Sequence, residues 1–382
     1  MYGILIREGQ DKGGKNIGDY IQSIAQRQFI RDKETCFVEI ENLSDFKSEK
    51  QVNVIMNGWF TWDCSKFLPP ACINPLFISF HLTPPQEKAF FTPEITAYLK
   101  QYQPIGARDI KTMEMMQAHG VDSYFSGCLT MTLGKEYLQS GEHTGDVYIV
   151  DPYYEIGGDM SLPHIIRYGK MIWYTLRHLK AGWGLRNKLV RTRHSILHHI
   201  SDSLDKVVCA ANFYHIYSQR FDDEILYNAK YFSAIVSAKL PNEEKFEIAD
   251  KMLKDYANAK FVITSRLHVS FPCLALETPN IFVIPCLKNE EKDVMRYSGR
   301  LAGLDDTVNV LELNSGKLID KTITLPKKIT MSNFPKNQKG YLKYKLKLEK
   351  SVEEFVRQCE RPSMGGVNNH SLRSPLNYRR AA

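Results

Sequence analysis

Short apolar runs alternate with amphipathic stretches over the first 150 residues of the chain. Runs at 3–6, 36–40, 52–56, 76–80, 104–107, 122–126 and 146–150 have the length and bounding turn residues of buried strands. Between them, 18–31, 92–102 and 110–118 repeat apolar positions at helical spacing, with Ile21, Ile24 and Ala25 in the first. Strand–helix alternation of this kind predicts a mostly parallel sheet with helices on both faces. A second such region is expected after residue 206, with strands near 207–211, 231–237, 261–264, 280–284 and 307–312 and helices near 243–257, 267–277 and 289–302. The helix over 243–257 is the clearest, because Phe246, Ala249, Met252, Leu253 and Tyr256 share one face. The reading is therefore α/β, with α/β regions over 1–160 and 207–335, a basic helical segment over 161–206, a terminal amphipathic helix over 336–360 and a polar, disordered tail over 361–382.

Composition narrows the function classes. With 43% hydrophobic and 24% charged residues the balance is that of an ordinary globular protein. No apolar run approaches the roughly 18 residues of a membrane span, and the N-terminus enters a strand pattern at once, so a cytoplasmic protein is expected. Eight cysteines stand singly, with no CxxC pair, which fits a reducing compartment better than a disulfide scaffold or a zinc site. Charge is uneven. Residues 161–200 carry eight Lys or Arg and no Asp or Glu, against +7 for the whole chain, so the remainder is close to neutral. The same segment holds Tyr168, Trp173, Tyr174 and Trp183. Cations with interfacial aromatics suit a peripheral contact with anionic lipid, whereas a helix pair that turns its aromatics inward would be merely solvated. No nucleic-acid-binding module accompanies the charge. His194, His198 and His199 fall on one helical turn, a pattern commoner on a basic surface than at a metal, and no other group demands one.

Ligands of open α/β sheets bind beyond the carboxyl ends of the strands, so the residues after each expected strand are the candidates. Asn16-Ile-Gly-Asp19 enters a helix; Asn57 follows strand 52–56; Arg108-Asp109 follows 104–107; Ser265-Arg-Leu-His268 follows 261–264; Lys288 follows 280–284. A helix N-terminus favours an anion, and Arg266 could clamp a phosphate there with His268 as a proton donor or acceptor. Asp109 and Asp19 are equally legible as helix caps. The glycine loop at 13–19 lacks the Gly-Lys-Ser/Thr ending of a phosphate-binding loop.

These segments together resemble the polysaccharide pyruvyl transferases. The resemblance is carried by Asn16-Ile-Gly-Asp-Tyr-Ile-Gln22, by Ile105-Gly-Ala-Arg-Asp-Ile-Lys-Thr112 with Tyr124-Phe-Ser-Gly-Cys-Leu-Thr-Met-Thr-Leu133, and by Tyr256 to His268 continuing to Thr278-Pro279. It implies two Rossmann-like lobes facing a cleft, over 1–160 and 207–335, similar to GT-B glycosyltransferases, and transfer of pyruvate from phosphoenolpyruvate to a sugar as a cyclic ketal, without a further cofactor. It also implies donor binding by Arg108, Arg266, His268 and Lys288, with His268 as the acid at the enol carbon. Asp19 or Asp109 would take hydroxyl protons, and Asn16, Asp19 and Asn57 would face a sugar acceptor, often a lipid-linked oligosaccharide. Val269 and Glu277 depart from the small residue and the glycine common at those places. The competing readings are a nucleotide-sugar glycosyltransferase, which needs a ribose-binding carboxylate for which Glu290 and Glu291 are the nearest candidates, and a non-catalytic glycan-binding relative.

Overall fold

The computed structural model describes residues 1–8, 14–139, 141–158, 162–190, 195–286 and 301–361. The first lobe comprises β1 (Tyr2–Ile6), β2 (Lys15–Asn16), α1 (Ile17–Arg27), β3 (Thr35–Glu39), β4 (Val52–Trp59), β5 (Ile73–His81), α2 (Glu87–Phe90), α3 (Pro93–Gln101), β6 (Ile105–Ala107), α4 (Ile110–Ala118), β7 (Ser123–Phe125) and α5 (Gly134–Tyr137). The rest of the chain forms β8 (Val147–Val150), α6 (His164–Arg177), α7 (Leu179–Leu185), α8 (Asp202–Tyr217), α9 (Asp223–Asn228), β9 (Lys230–Phe232), β10 (Ile235–Val236), α10 (Asn242–Asn258), β11 (Phe261–Thr264), α11 (Leu267–Ala275), β12 (Asn280–Pro285), β13 (Val310–Asn314), β14 (Lys317–Asp320) and α12 (Tyr341–Cys359).

Two six-stranded sheets result, in the orders β3-β1-β4-β5-β6-β7 and β9-β8-β11-β12-β13-β14. All pairs are parallel except β13–β14. Counted within its own sheet, each order is 2-1-3-4-5-6, so each lobe has one switch point where the chain reverses direction across the sheet: between β1 and β4 in the first, between β8 and β11 in the second. The fold is thus the expected pair of Rossmann-like lobes.

Three assignments differ. The strand at 147–150 pairs with β11 and β9 and so belongs to the second sheet, although it reads in sequence as the last strand of the first. Residues 207–211 are helical, within α8. Val207, Val208, Cys209, Ala210 and Ala211 are all buried, and a run buried on every side has no period to separate a strand from a helix. Gly182 helps to seal it: a Cβ there would lie 2.8 Å from the Val207 carbonyl oxygen, so only glycine lets α7 approach α8 so closely. Third, the inward packing of the basic segment's aromatics holds for Tyr174 but not for Tyr168, Trp173 or Trp183, which are exposed. Most of the expected helix at 289–302 and the tail from 362 lie outside the described residues.

The lobes share a core. Ile17, Ile21 and Ile24 of α1 pack in one apolar cluster with Phe246 and Leu253 of α10, Val269 and Cys273 of α11, and Leu348, Val352 and Phe355 of α12. The terminal helix therefore returns to the first lobe, where the Tyr2 hydroxyl donates to the Val356 carbonyl at 3.3 Å. At roughly 1.5–3 kcal/mol per fully buried aliphatic or aromatic side chain, this cluster holds the two lobes together. The antiparallel pairing of β2 with β10 adds a backbone tie beside the cleft.

Candidate functional site

Residues from both switch points converge at the start of α1. Asn16 caps this helix, its side-chain oxygen accepting from the Gly18 amide at 3.0 Å. Asp19 follows in the first turn, where a carboxylate is favoured. Arg7, at the carboxyl end of β1, is buried. It forms ion pairs with Glu41 and, at 3.6 Å, with Asp19, and its guanidinium lies 4.7 Å from the centre of the Trp59 ring. Gln22, one turn beyond Gly18, donates to Asp19 at 3.2 Å and accepts from Arg108 at 3.2 Å.

Arg108 leaves β6 and is only 4% exposed. Its Nη1 lies 3.5 Å from His268 Nε2, so the two lobes touch through the two groups that chemistry singles out. A continuous polar chain thus runs Arg7–Asp19–Gln22–Arg108–His268. Burial lowers the proton affinity of the Arg108 guanidinium, opposed by Cys128, Asp109 and Asp19. Yet among the described residues no carboxylate forms an ion pair with Arg108. Asp109 and Asp19 act on it only from beyond ion-pair distance, and a buried cation without a contact partner is costly, a cost that an incoming anion would relieve.

In the second lobe Arg266 precedes α11 and His268 stands in its first turn. Arg266 Nε donates to Asp151 Oδ2 at 2.8 Å. Asp151 follows β8 directly, in a left-handed conformation at φ 42°, and also accepts from the Ala234 amide at 3.0 Å. The Ala234 carbonyl in turn accepts from the Ile17 amide at 2.7 Å, which ties Asp151 to the start of α1. Asp151 is buried, whereas a third of the Arg266 side chain is open.

The expected residues do not all gather here. Arg108, Arg266, His268, Asp19 and Asn16 do. Asn57 is buried nearby, accepting from Gln26 and donating to the Gln22 carbonyl at 3.3 Å, which makes it a brace for α1. Asp109 caps α4, accepting from the Thr112 amide at 2.9 Å, and lies 2.6 Å from His81 Nδ1. Burial alone would raise its carboxyl, but His81, Arg108 and the Thr112 amide hold it below the ordinary carboxylate range. Buried, capped and ion-paired, it is a poor proton acceptor. Lys288, Glu290, Glu291 and His194 lie outside the described residues. Among the described residues no cluster of His, Cys, Asp or Glu is placed to hold a metal ion. Arg7, Gln22, His81 and Asp151 were not anticipated, although Arg7 and Asp151 each directly follow a strand and carried that signal.

At the first switch point a crevice of about 20 Å³, room for one water, is bordered by Arg7, Asp19, Gln22, Asn57 and Trp59. A larger cavity of about 700 Å³ elsewhere on the first lobe is lined by Trp62, Asp63, Leu68, Gln86, Thr92 and Glu94. No cation lines it, so it does not suit an anionic donor.

The fold and site define a two-lobed α/β protein with a cationic seam between twin switch points. The chain belongs to the polysaccharide pyruvyl transferase family, whose model matches residues 16–286 and so reaches into both lobes and covers the site residues just described except Arg7. No curated protein and no solved structure matches it.

Proposed function

We propose that the protein transfers pyruvate from phosphoenolpyruvate to two hydroxyls of a sugar in a polysaccharide or its lipid-linked precursor, closing a cyclic ketal. The observation that carries this reading is the buried, carboxylate-free Arg108 set 3.5 Å from His268. Phosphoenolpyruvate bears about three negative charges near neutral pH. Arg108, the open end of Arg266 and the N-terminus of α11 answer that charge, with Lys288 as a further cation. Anionic charge lodged between Arg108 and His268 stabilises a doubly protonated imidazole.

His268 then gives its proton to the methylene carbon of the enol, leaving an oxocarbenium-like centre at C2. One sugar hydroxyl adds to C2 and passes its proton to a base, for which Asp19 is the best placed carboxylate. The second hydroxyl adds as the C2–O bond to phosphate breaks, and its proton leaves with the phosphate. The proton taken by Asp19 replaces the one His268 gave to carbon and the other hydroxyl proton leaves on the phosphate, so the reaction balances and the enzyme is restored. Arg108 stabilises charge on the donor throughout.

Two variants test the reading by phosphate release from phosphoenolpyruvate with a sugar acceptor. His268→Ala should lower kcat by roughly 10²–10⁴-fold, the usual range for a general acid. Arg108→Met, of similar shape and uncharged, removes a desolvated charge but also the bond to Gln22 and the support of the Asp109 carboxylate, so its melting temperature is read on the same preparation, while the KM for donor should rise by about tenfold or more. Wild-type turnover in His268→Ala would end the acid assignment.

A further inference from the structure

We propose that the outer face of α6 and α7 docks the protein on an anionic lipid surface. Ile165 is 80% exposed, Leu176 69%, Ile172 53%, Trp173 50% and Trp183 45%. Positions 165, 172 and 176 recur at helical spacing on α6, and Trp183 is exposed in the same way on α7, which follows after the non-helical His178. The opposite face, with Met171, Tyr174, Ala181 and Leu185, is already buried against the body. The exposed stripe is thus not the reverse side of a core contact. Large apolar side chains in contiguous exposure mark an interaction surface.

The charge around the stripe selects the partner. Lys170, Arg177, Lys180, Arg186 and Lys188 flank it, and among the described residues none forms an ion pair with a carboxylate. Elsewhere on the surface cations do pair, as in Lys50–Glu34, Lys66–Asp45 and Lys343–Asp306. Arg177 and Arg186 lie over the Trp173 and Trp183 rings, at 5.1 and 4.8 Å, so cation and aromatic reach the surface together. A protein interface is depleted of lysine at its centre, and a nucleic-acid backbone offers nothing to Ile165 or Leu176. A bilayer with phosphate-bearing headgroups answers both features: the apolar side chains enter the acyl boundary and the cations remain among the phosphates.

The ridge is joined to the cleft. The segment after Asp151 runs to Gly157, whose Cα packs on the backbone of Arg167 in α6; a Cβ there would fall 2.2 Å from the Arg167 carbonyl oxygen. Docking through α6 and α7 therefore holds Asp151 and Arg266 close to the lipid surface. That advantage rests on the proposed transfer to a lipid-linked sugar; the docking itself does not.

The test sediments the purified protein with vesicles of phosphatidylcholine alone or with phosphatidylglycerol, at low and physiological salt. Wild type should pellet with the anionic vesicles and be released by salt. Leu176→Ser/Trp183→Ser and Arg177→Glu/Lys180→Glu should each weaken binding about tenfold or more, while melting temperature and phosphate release with a soluble acceptor stay unchanged. The proposal is overturned if wild type stays in the supernatant with anionic vesicles. It is equally overturned if both variants pellet like wild type, or if sedimentation velocity shows a wild-type dimer that the serine variant converts to monomer. No donor or acceptor is present, so failure of the transferase reading would leave this result standing.

Discussion

Gly18 offers the sharpest probe of the seam. It lies in the first turn of α1, and a Cβ built there would sit 2.9 Å from His268 Nδ1, 3.0 Å from His268 Cβ and 3.1 Å from Asn16 Oδ1. Ordinary contacts begin near 3.4 Å. Rotating the imidazole would clear Nδ1 but not the His268 Cβ, which is fixed to the backbone of α11. In Gly18→Ala the starts of α1 and α11 must therefore part by about half an ångström. Overpacking of this kind costs about 1–3 kcal/mol, and the better helix propensity of alanine returns up to about 1 kcal/mol. The net loss of up to about 3 kcal/mol lowers the melting temperature by several degrees. Catalysis should suffer more. A misplacement of about 1 Å can cost on the order of 10²-fold, so kcat for phosphate release should fall by about 10–100-fold with the enzyme still folded. Differential scanning fluorimetry and a coupled phosphate assay on one preparation separate the two effects. Wild-type kcat together with an unchanged or raised melting temperature would refute the placement of His268 against α1 during turnover.

Asp151→Asn keeps an acceptor for Arg266 Nε and removes its charge; a charge-assisted bond is about twice as strong as a neutral one. The KM for phosphoenolpyruvate should rise by about tenfold while kcat falls less, and initial rates at varied donor would expose an unchanged KM. A second effect concerns acid stability. His215 stacks on Tyr174 at 3.7 Å and lies 3.1 Å from His178 Nε2. Burial, then His178 and Arg177, lowers its pKa to about 4 from the usual 6.5. Between those values the unfolded chain binds a proton that the folded chain does not, so stability is lost as pH falls from 6.5 towards 4. After allowing for its partial access to water the loss is about 1–2 kcal/mol. In His215→Phe the urea midpoint should fall less between pH 7 and pH 5 than in wild type; an equal fall would show that His215 is not the group responsible.

Legibility followed chemistry that is local in sequence. Strands ending in Arg108 or in Ser265-Arg-Leu-His268 announce themselves, because a cation at a strand end before a helix has few structural uses. Asp109 was legible too, but as the cap it proves to be. The partner groups were not legible. Asp151 serves Arg266 from 115 residues away, and Gln22 serves Arg108 from 86 residues away; nothing local marks Gln22, and the strand end that marks Asp151 does not name its partner. The same limit hid the membership of β8. A buried parallel strand reads alike in either sheet, and only its pairing with β11 assigns it. Without that assignment Asp151 falls in the wrong lobe, far from the arginine it holds.

The distribution of charge along the seam explains why binding should converge on its middle. Arg7, at the first switch point, is neutralised by Glu41 and Asp19. Arg266, at the second, is neutralised in part by Asp151. Arg108 stands between them, buried, with amide and imidazole neighbours in place of a carboxylate. Of the three it would gain most from an anion, because its charge has been desolvated without being paired. Charge on the two outer arginines is held in place by protein carboxylates, and in the proposed transfer that on the central one would be left for the donor. The three arginines would then have distinct tasks. Arg7 would fix α1, Arg266 would offer its outer edge to the phosphate, and Arg108 would lower the free energy of the complex in proportion to the negative charge arriving beside His268.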